Sequence, residues 1–267
     1  VLGLERPPRW GIVTVVGLTV ANGALFAYVG LRPTEVTTTA SFADRVSTGT
    51  PTPGATSTPS SPSASPTEEA PASELPPVVA VYGDGYSTGS ELGGQGPTGW
   101  PALVATEVGA ELELHAVSRA GYAAVGTTGQ DFAGIATAEP VPDATVTVVF
   151  GSRNDLNASP AVVGAGATST FAQIRSSAPT TELVVVGPAW SSSAVPAALL
   201  PVRDAVRDAA VAAGATFVDP LTEGWFGEPA TLIAPDDISP TDEGHAYLAE
   251  QIAPVVIEAL AEADAPA

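Results

Sequence analysis

The chain has 267 residues, a formal net charge of −20, no Cys and no Met, and its nine basic residues are all Arg. That charge excludes a nucleic-acid partner, which needs clustered cations, and a polybasic contact with anionic lipid. Without Cys there are no disulfides, so stability has to come from a hydrophobic core of ordinary size.

The first predicted element is apolar. Trp10 to Leu31 contain no charged residue and are mostly Val, Leu, Gly and Ala, a length that crosses a hydrocarbon layer of roughly 30 Å at about 1.5 Å per residue. Arg6 and Arg9 precede it and Arg32 follows it, a weak bias placing residues 1–9 in the cytoplasm. The expectation is a retained single-pass anchor at 10–31, at the cell membrane, with the remainder extracytoplasmic. A cleaved signal, giving a secreted protein, is the rival; its apolar region is usually roughly 7–15 residues and ends in a small-x-small site, and none follows Leu31. Residues 32–77 are rich in Thr, Ser, Pro and Ala, as in Thr50-Pro51-Thr52-Pro53. With almost no large apolar side chains they cannot offset chain entropy and read as a disordered stalk.

From Val78 to the end, residues 78–267, the pattern is that of a folded domain. Short apolar runs at Val78–Val81, Leu112–Val117, Thr145–Phe150, Leu183–Val186 and Thr216–Val218 alternate with helical stretches at Trp100–Val108, Ala161–Ser177, Val195–Ala213 and Thr241–Ala261. Strands alternating with helices predict a five-stranded parallel sheet covered on both faces. The last helix is the best marked: Ser239-Pro240-Thr241-Asp242-Glu243 supplies a cap, an early Pro and first-turn acids.

In such a sheet ligands sit at the carboxyl ends of the strands. Four segments there carry candidate chemistry: Gly83-Asp84-Gly85-Tyr86-Ser87-Thr88-Gly89, Ser118-Arg119-Ala120-Gly121-Tyr122, Gly151-Ser152-Arg153-Asn154-Asp155, and Pro235-Asp236-Asp237-Ile238-Ser239-Pro240-Thr241. Gly83-x-Gly85-x-x-x-Gly89 has one residue too many for a dinucleotide fingerprint, and Ser118-Arg119 stands where that fold needs an acid. The acids Asp236, Asp237, Asp242 and Glu243 fit a helix start better than any metal-ligand spacing, so no metal is expected.

Taken in order with their flanks, Gly99-Trp100-Pro101 and Gly244-His245-Ala246-Tyr247, these blocks resemble the SGNH hydrolases, the GDSL family, over roughly Val78 to Ala261. The resemblance implies a flavodoxin-like, three-layer α/β/α fold. It also implies ester or acyl hydrolysis without a cofactor, often on acetylated carbohydrate or lipid. The family's first-block Ser is the nucleophile and an oxyanion donor. Its second-block Gly and third-block Asn donate to the oxyanion, and its last block supplies an orienting acid and a base His. Carried over, Gly121 and Asn154 fall at the oxyanion positions and Asp236 at the acid. Gly85 falls at the nucleophile and Ser239 at the base, so both proton-transfer partners are missing, and Gly151 to Asn154 holds one residue more than the family's usual spacing.

Three functions stay open. The first is a catalytically impaired relative, a pseudoenzyme that binds a cell-envelope carbohydrate or an acylated small molecule. The second is an active esterase with Ser87 and His245 as relocated nucleophile and base. The third is a scaffolding ectodomain. Asp84, Arg119 and Arg153 are candidate ligand-binding residues. The two arginines can hold a carboxylate or sugar acid, or pair internally with Asp84, Asp155 or Asp236. Trp100 and Trp225 are either sugar-stacking walls or core.

Overall fold

Val78–Gly83 (β1) reads VVAVYG, and its alternate side chains enter opposite layers. Ala80 and Tyr82 join one core cluster and Val79 and Val81 the other. The structure, a computed structural model, describes residues 75–151, 153–227 and 230–265. The other strands are Glu111–Ala116 (β2), Val146–Phe150 (β3), Glu182–Val186 (β4) and Thr216–Val218 (β5). They form one sheet in the order β2-β1-β3-β4-β5, and every pairing is parallel. The five-stranded α/β/α expectation holds. β3 is buried at all five positions, as a central strand covered on both faces must be.

The helices are Gly85–Thr88 (α1), Trp100–Val108 (α2), Phe132–Ala138 (α3), Pro160–Ser177 (α4), Leu199–Ala212 (α5), Pro220–Glu223 (α6) and Asp242–Ala263 (α7). One layer packs Phe132, Ile135, Phe171, Ile174, Val202 and Val206 of α3, α4 and α5. The other packs Trp100 and Val104 of α2 against Leu248, Ile252 and Val256 of α7. The ends of α4 and α7 follow local chemistry: Ser159 caps Val162 N–H with Pro160 at the first helical position, and Thr241 accepts from Gly244 N–H. α5 begins at Leu199 rather than Val195, because the chain first turns through Pro196, whose carbonyl accepts from Leu199 N–H.

The expected membrane anchor is corrected. Among the described residues no helix is long and apolar enough to cross a membrane. The longest, α7, carries Asp242, Glu243, Glu250, Glu258 and Glu262, charges that a lipid-spanning helix would have to desolvate at high cost. The segment 10–31 on which the anchor was expected, and residues 32–74 of the stalk, lie outside the described residues. The transmembrane and signal-anchor role, the membrane partner and the single-pass localisation are therefore withdrawn.

Candidate functional site

With the order β2-β1-β3, the connections from β1 run to one side of the sheet and those from β3 to the other, and a crevice opens between the carboxyl ends of β1 and β3. A cavity of ≈ 370 Å³ lies there, lined by Asp84 and Gly85 after β1, Ser118 and Arg119 after β2, Arg153 and Asn154 after β3, and Ile238 and Ser239 before α7.

Asp84 caps α1, accepting Tyr86 N–H at 2.9 Å. It is 3% exposed. Burial pushes its carboxyl up to about 6, against the pull of the Tyr86 N–H and the Arg153 charge. Asn154 donates through Nδ2 to Asp84 Oδ2 and to the Ala120 carbonyl, each at 2.8 Å. Both partners are acceptors, so the amide nitrogen has to face them and both its N–H groups are used. Gly121 N–H is also engaged, by the Ala124 carbonyl at 2.9 Å. The two positions expected from the sequence to supply oxyanion donors thus spend those donors inside the fold.

Gly85 opens α1 at the cavity floor. A Cβ placed on it would meet only Ser118 Oγ, at 3.4 Å, so a side chain fits there. Ser239 donates its hydroxyl to Asp236 Oδ2 at 2.7 Å, while Asp236 Oδ1 accepts Ile238 N–H and Ser239 N–H at 2.9 and 2.8 Å. These bonds, led by the Ser239 hydroxyl, hold the Asp236 carboxyl below the ordinary range. The pair is a self-contained turn on an exposed loop.

Ser87 and His245 share no hydrogen bond. Ser87 is 1% exposed, its hydroxyl lies over Gly83 and finds no partner among the described residues. His245 accepts Trp100 N–H through Nδ1 at 3.3 Å, and its Nε2 packs against Gly94 without a hydrogen bond. Burial pushes its imidazole down to about 4, so it stays neutral. Trp100 is fully buried between the sheet and α7, and Trp225 is 3% exposed. Trp225 and Trp190 line a second cavity of ≈ 150 Å³.

Arg153 pairs with none of the acids considered for it. Its Nη1 donates to Tyr86 Oη at 2.8 Å and to the Ile238 carbonyl at 3.4 Å, and its guanidinium lies 4.7 Å over the Trp190 ring and 5.5 Å over the Tyr86 ring. Tyr86 Oη donates in turn to the Ile238 carbonyl at 2.7 Å. Tyr86 and Trp190 are the site residues that sequence reasoning passed over. Their one available signal was position, directly after Gly85 and in the loop following β4. Asp155 was also misjudged. It is no partner for an arginine but accepts Tyr122, Ala123 and Ala124 N–H at 2.8, 3.0 and 2.6 Å, fixing the loop after β2.

The architecture and this crevice define a flavodoxin-like α/β protein whose site lies at the switch point of a parallel sheet. The chain belongs to the GDSL-like Lipase/Acylhydrolase family, which matches residues 81–247. It is similar to GDSL lipase Rv0518 of Mycobacterium tuberculosis, with 39% identity over 186 residues, 67% of this chain and 80% of that protein. Two solved structures share the fold. A carbohydrate esterase family 2 enzyme with a carbohydrate binding domain, from Corynascus thermopiles (Myceliophthora fergusii), is 19% identical with a TM-score of 0.57, covering 73% of this chain and 69% of that one. TesA is 18% identical with a TM-score of 0.56, covering 68% of this chain and 99% of that one. The family is one of serine hydrolases.

Proposed function

We propose that this chain is a family member whose ester hydrolysis is impaired and whose crevice binds an acyl-bearing small molecule or acylated sugar. The observation carrying this is the pair Gly85 and Ser239. Position 85, on the cavity floor, has no side chain to attack a carbonyl. The residue bonded to Asp236 at 2.7 Å is a hydroxyl, which cannot take up a proton near neutral pH as an imidazole does. A single loss would leave a weakened enzyme, whereas nucleophile and base act as one unit and their joint absence removes the proton-transfer path. The acyl group is the chemistry common to a lipase and a carbohydrate esterase, the names carried by the similar proteins.

The test is turnover of short-chain aryl esters by the purified protein. We expect no hydrolysis above a heat-treated control. Hydrolysis that Ser87→Ala abolishes would overturn the proposal in favour of a relocated nucleophile. The double variant Gly85→Ser/Ser239→His should gain measurable hydrolysis, because position 85 has room for the side chain. The gain should stay far below that of an intact enzyme, since the Gly121 and Asn154 donors are engaged elsewhere and each missing oxyanion donor costs about 10²–10³ in rate.

A further inference from the structure

Cations are scarce here, and their distribution is informative. Of the five arginines among the described residues, Arg203 and Arg207 pair with Asp204, Asp208 and Asp219, and Arg175 donates to the Thr181 carbonyl. The remaining two, Arg119 and Arg153, make no ion pair among the described residues, and both line the ≈ 370 Å³ cavity. Arg153 is committed to the wall through Tyr86, Ile238 and Trp190. Arg119 is exposed and is held at a φ of 69°, a left-handed conformation that costs any residue with a Cβ and that gathers at ligand sites. Beside it Ser118 Oγ stands 3.4 Å from where a Cβ on Gly85 would be, so its hydroxyl faces the space a nucleophile side chain would occupy.

We propose that this cavity is a receptor for a small free carboxylate, held by the Arg119 guanidinium and the Ser118 hydroxyl over the open Gly85 floor, in preference to an uncharged ester. An ester offers one carbonyl oxygen to a donor and fills the other side with its alcohol. A carboxylate offers two equivalent oxygens, matching a planar guanidinium on one side and a hydroxyl on the other. The empty volume at Gly85 is what admits the second oxygen. Asp84 in the lining and Asp236 bonded to the lining Ser239, in a chain of net charge −20, favour a monoanion over the dianion of phosphate. Ile238, 50% exposed, and Pro240 give the rim an apolar surface for a short tail. This inference rests on the reading of the crevice as a binding site without turnover.

The experiment is calorimetric titration of the full chain with sodium butanoate, methyl butanoate and inorganic phosphate at matched ionic strength. Butanoate should bind saturably and at least about tenfold more tightly than either of the others, the range of one charge-assisted hydrogen bond. Arg119→Gln should weaken butanoate about tenfold or more, Arg119→Lys should recover part of that, and Gly85→Ser should weaken it by filling the second oxygen's place. Equal affinity for the ester, tighter binding of phosphate, no binding of butanoate, or an unchanged Arg119→Gln variant would each overturn the proposal. Release of acid from methyl butanoate by the parent protein would instead overturn the non-hydrolytic reading beneath it, and butanoate affinity would still be read separately.

Discussion

The two halves of the crevice are built differently. The half around β1, β2 and β3 is a buried network in which Asp84, Asn154 and Asp155 bind backbone groups of the loops after β1 and β2. The half contributed by the segment before α7 is an exposed turn whose acid, Asp236, is satisfied by residues two and three positions away. A buried polar group left without partners is costly, so the first half is tied to folding itself. In the second half the Asp236–Ser239 pair is satisfied locally, and the segment is tied to the first half through the Ile238 carbonyl, which accepts from Tyr86 and Arg153. Ser239, where the sequence resemblance puts the base position, lies in it. Gly85 lies on the network's inner edge, yet its own side-chain position touches only Ser118, so it too is free of the packing around it.

This contrast is breakable. The largest effect should come from Asp155→Ala. Asp155 is 1% exposed and accepts three backbone N–H groups, and leaving them unpaired should cost about 3 kcal/mol or more in urea unfolding. A loss below about 1 kcal/mol would mean water or a rearranged loop replaces the carboxylate, and the buried half would not be the rigid one.

An effect of similar size but pH-dependent is expected at His245. Its pKa in the fold is about 4, below the ordinary imidazole value, so the unfolded chain takes up a proton that the fold refuses. Stability from this group is full above about pH 6.5 and is lost as pH falls toward 4, by about 3 kcal/mol at about 1.4 kcal/mol per unit. Asp84, raised to about 6, acts in the opposite direction across much of the same window. The parent must therefore be compared with His245→Asn, which keeps an acceptor for Trp100 N–H. The stability gap between them should shrink by about 3 kcal/mol from pH 7 to pH 4, and parallel profiles would rule out a neutral, buried imidazole.

The smallest effect is expected at Ser239→Ala. It removes one hydrogen bond to an exposed acid and should cost under about 1 kcal/mol. A larger loss would show that the turn before α7 supports the fold, erasing the contrast.

Much of the fold was legible in the sequence. β1, β3 and β4 are runs of Val too short for helices, and α2, α4 and α7 carry their own Pro, Ser or Thr start signals. Helix α3, Phe132–Ala138, was not foreseen: it is seven residues with a Gly inside, and what marks it is an Asp131 cap bonded to Gly134 N–H. In the site, the loops holding Gly85, Asn154 and Ser239 could be placed at the sheet's carboxyl edge because they follow or precede recognisable elements. Hydrogen-bond partners could not be read in the same way. Asp155 reaches loop residues 31 to 33 positions away, and Arg153 chooses Tyr86 and Trp190 over nearby acids. Such choices depend on where separate loops meet, which one-dimensional spacing does not encode.

The Tyr86 Oη bond to the Ile238 carbonyl spans 152 residues, and Gly94 N–H reaches Asp242 Oδ1 across 148. During synthesis the segment after β1 must wait for nearly the whole domain before its partners exist. One layer of the core also lacks its principal helix until α7 has emerged. Such distant contacts slow folding. Ribosome-bound chains ending before Asp242 should therefore expose the apolar face that α7 later covers, leaving the nascent protein dependent on protection until α7 has emerged.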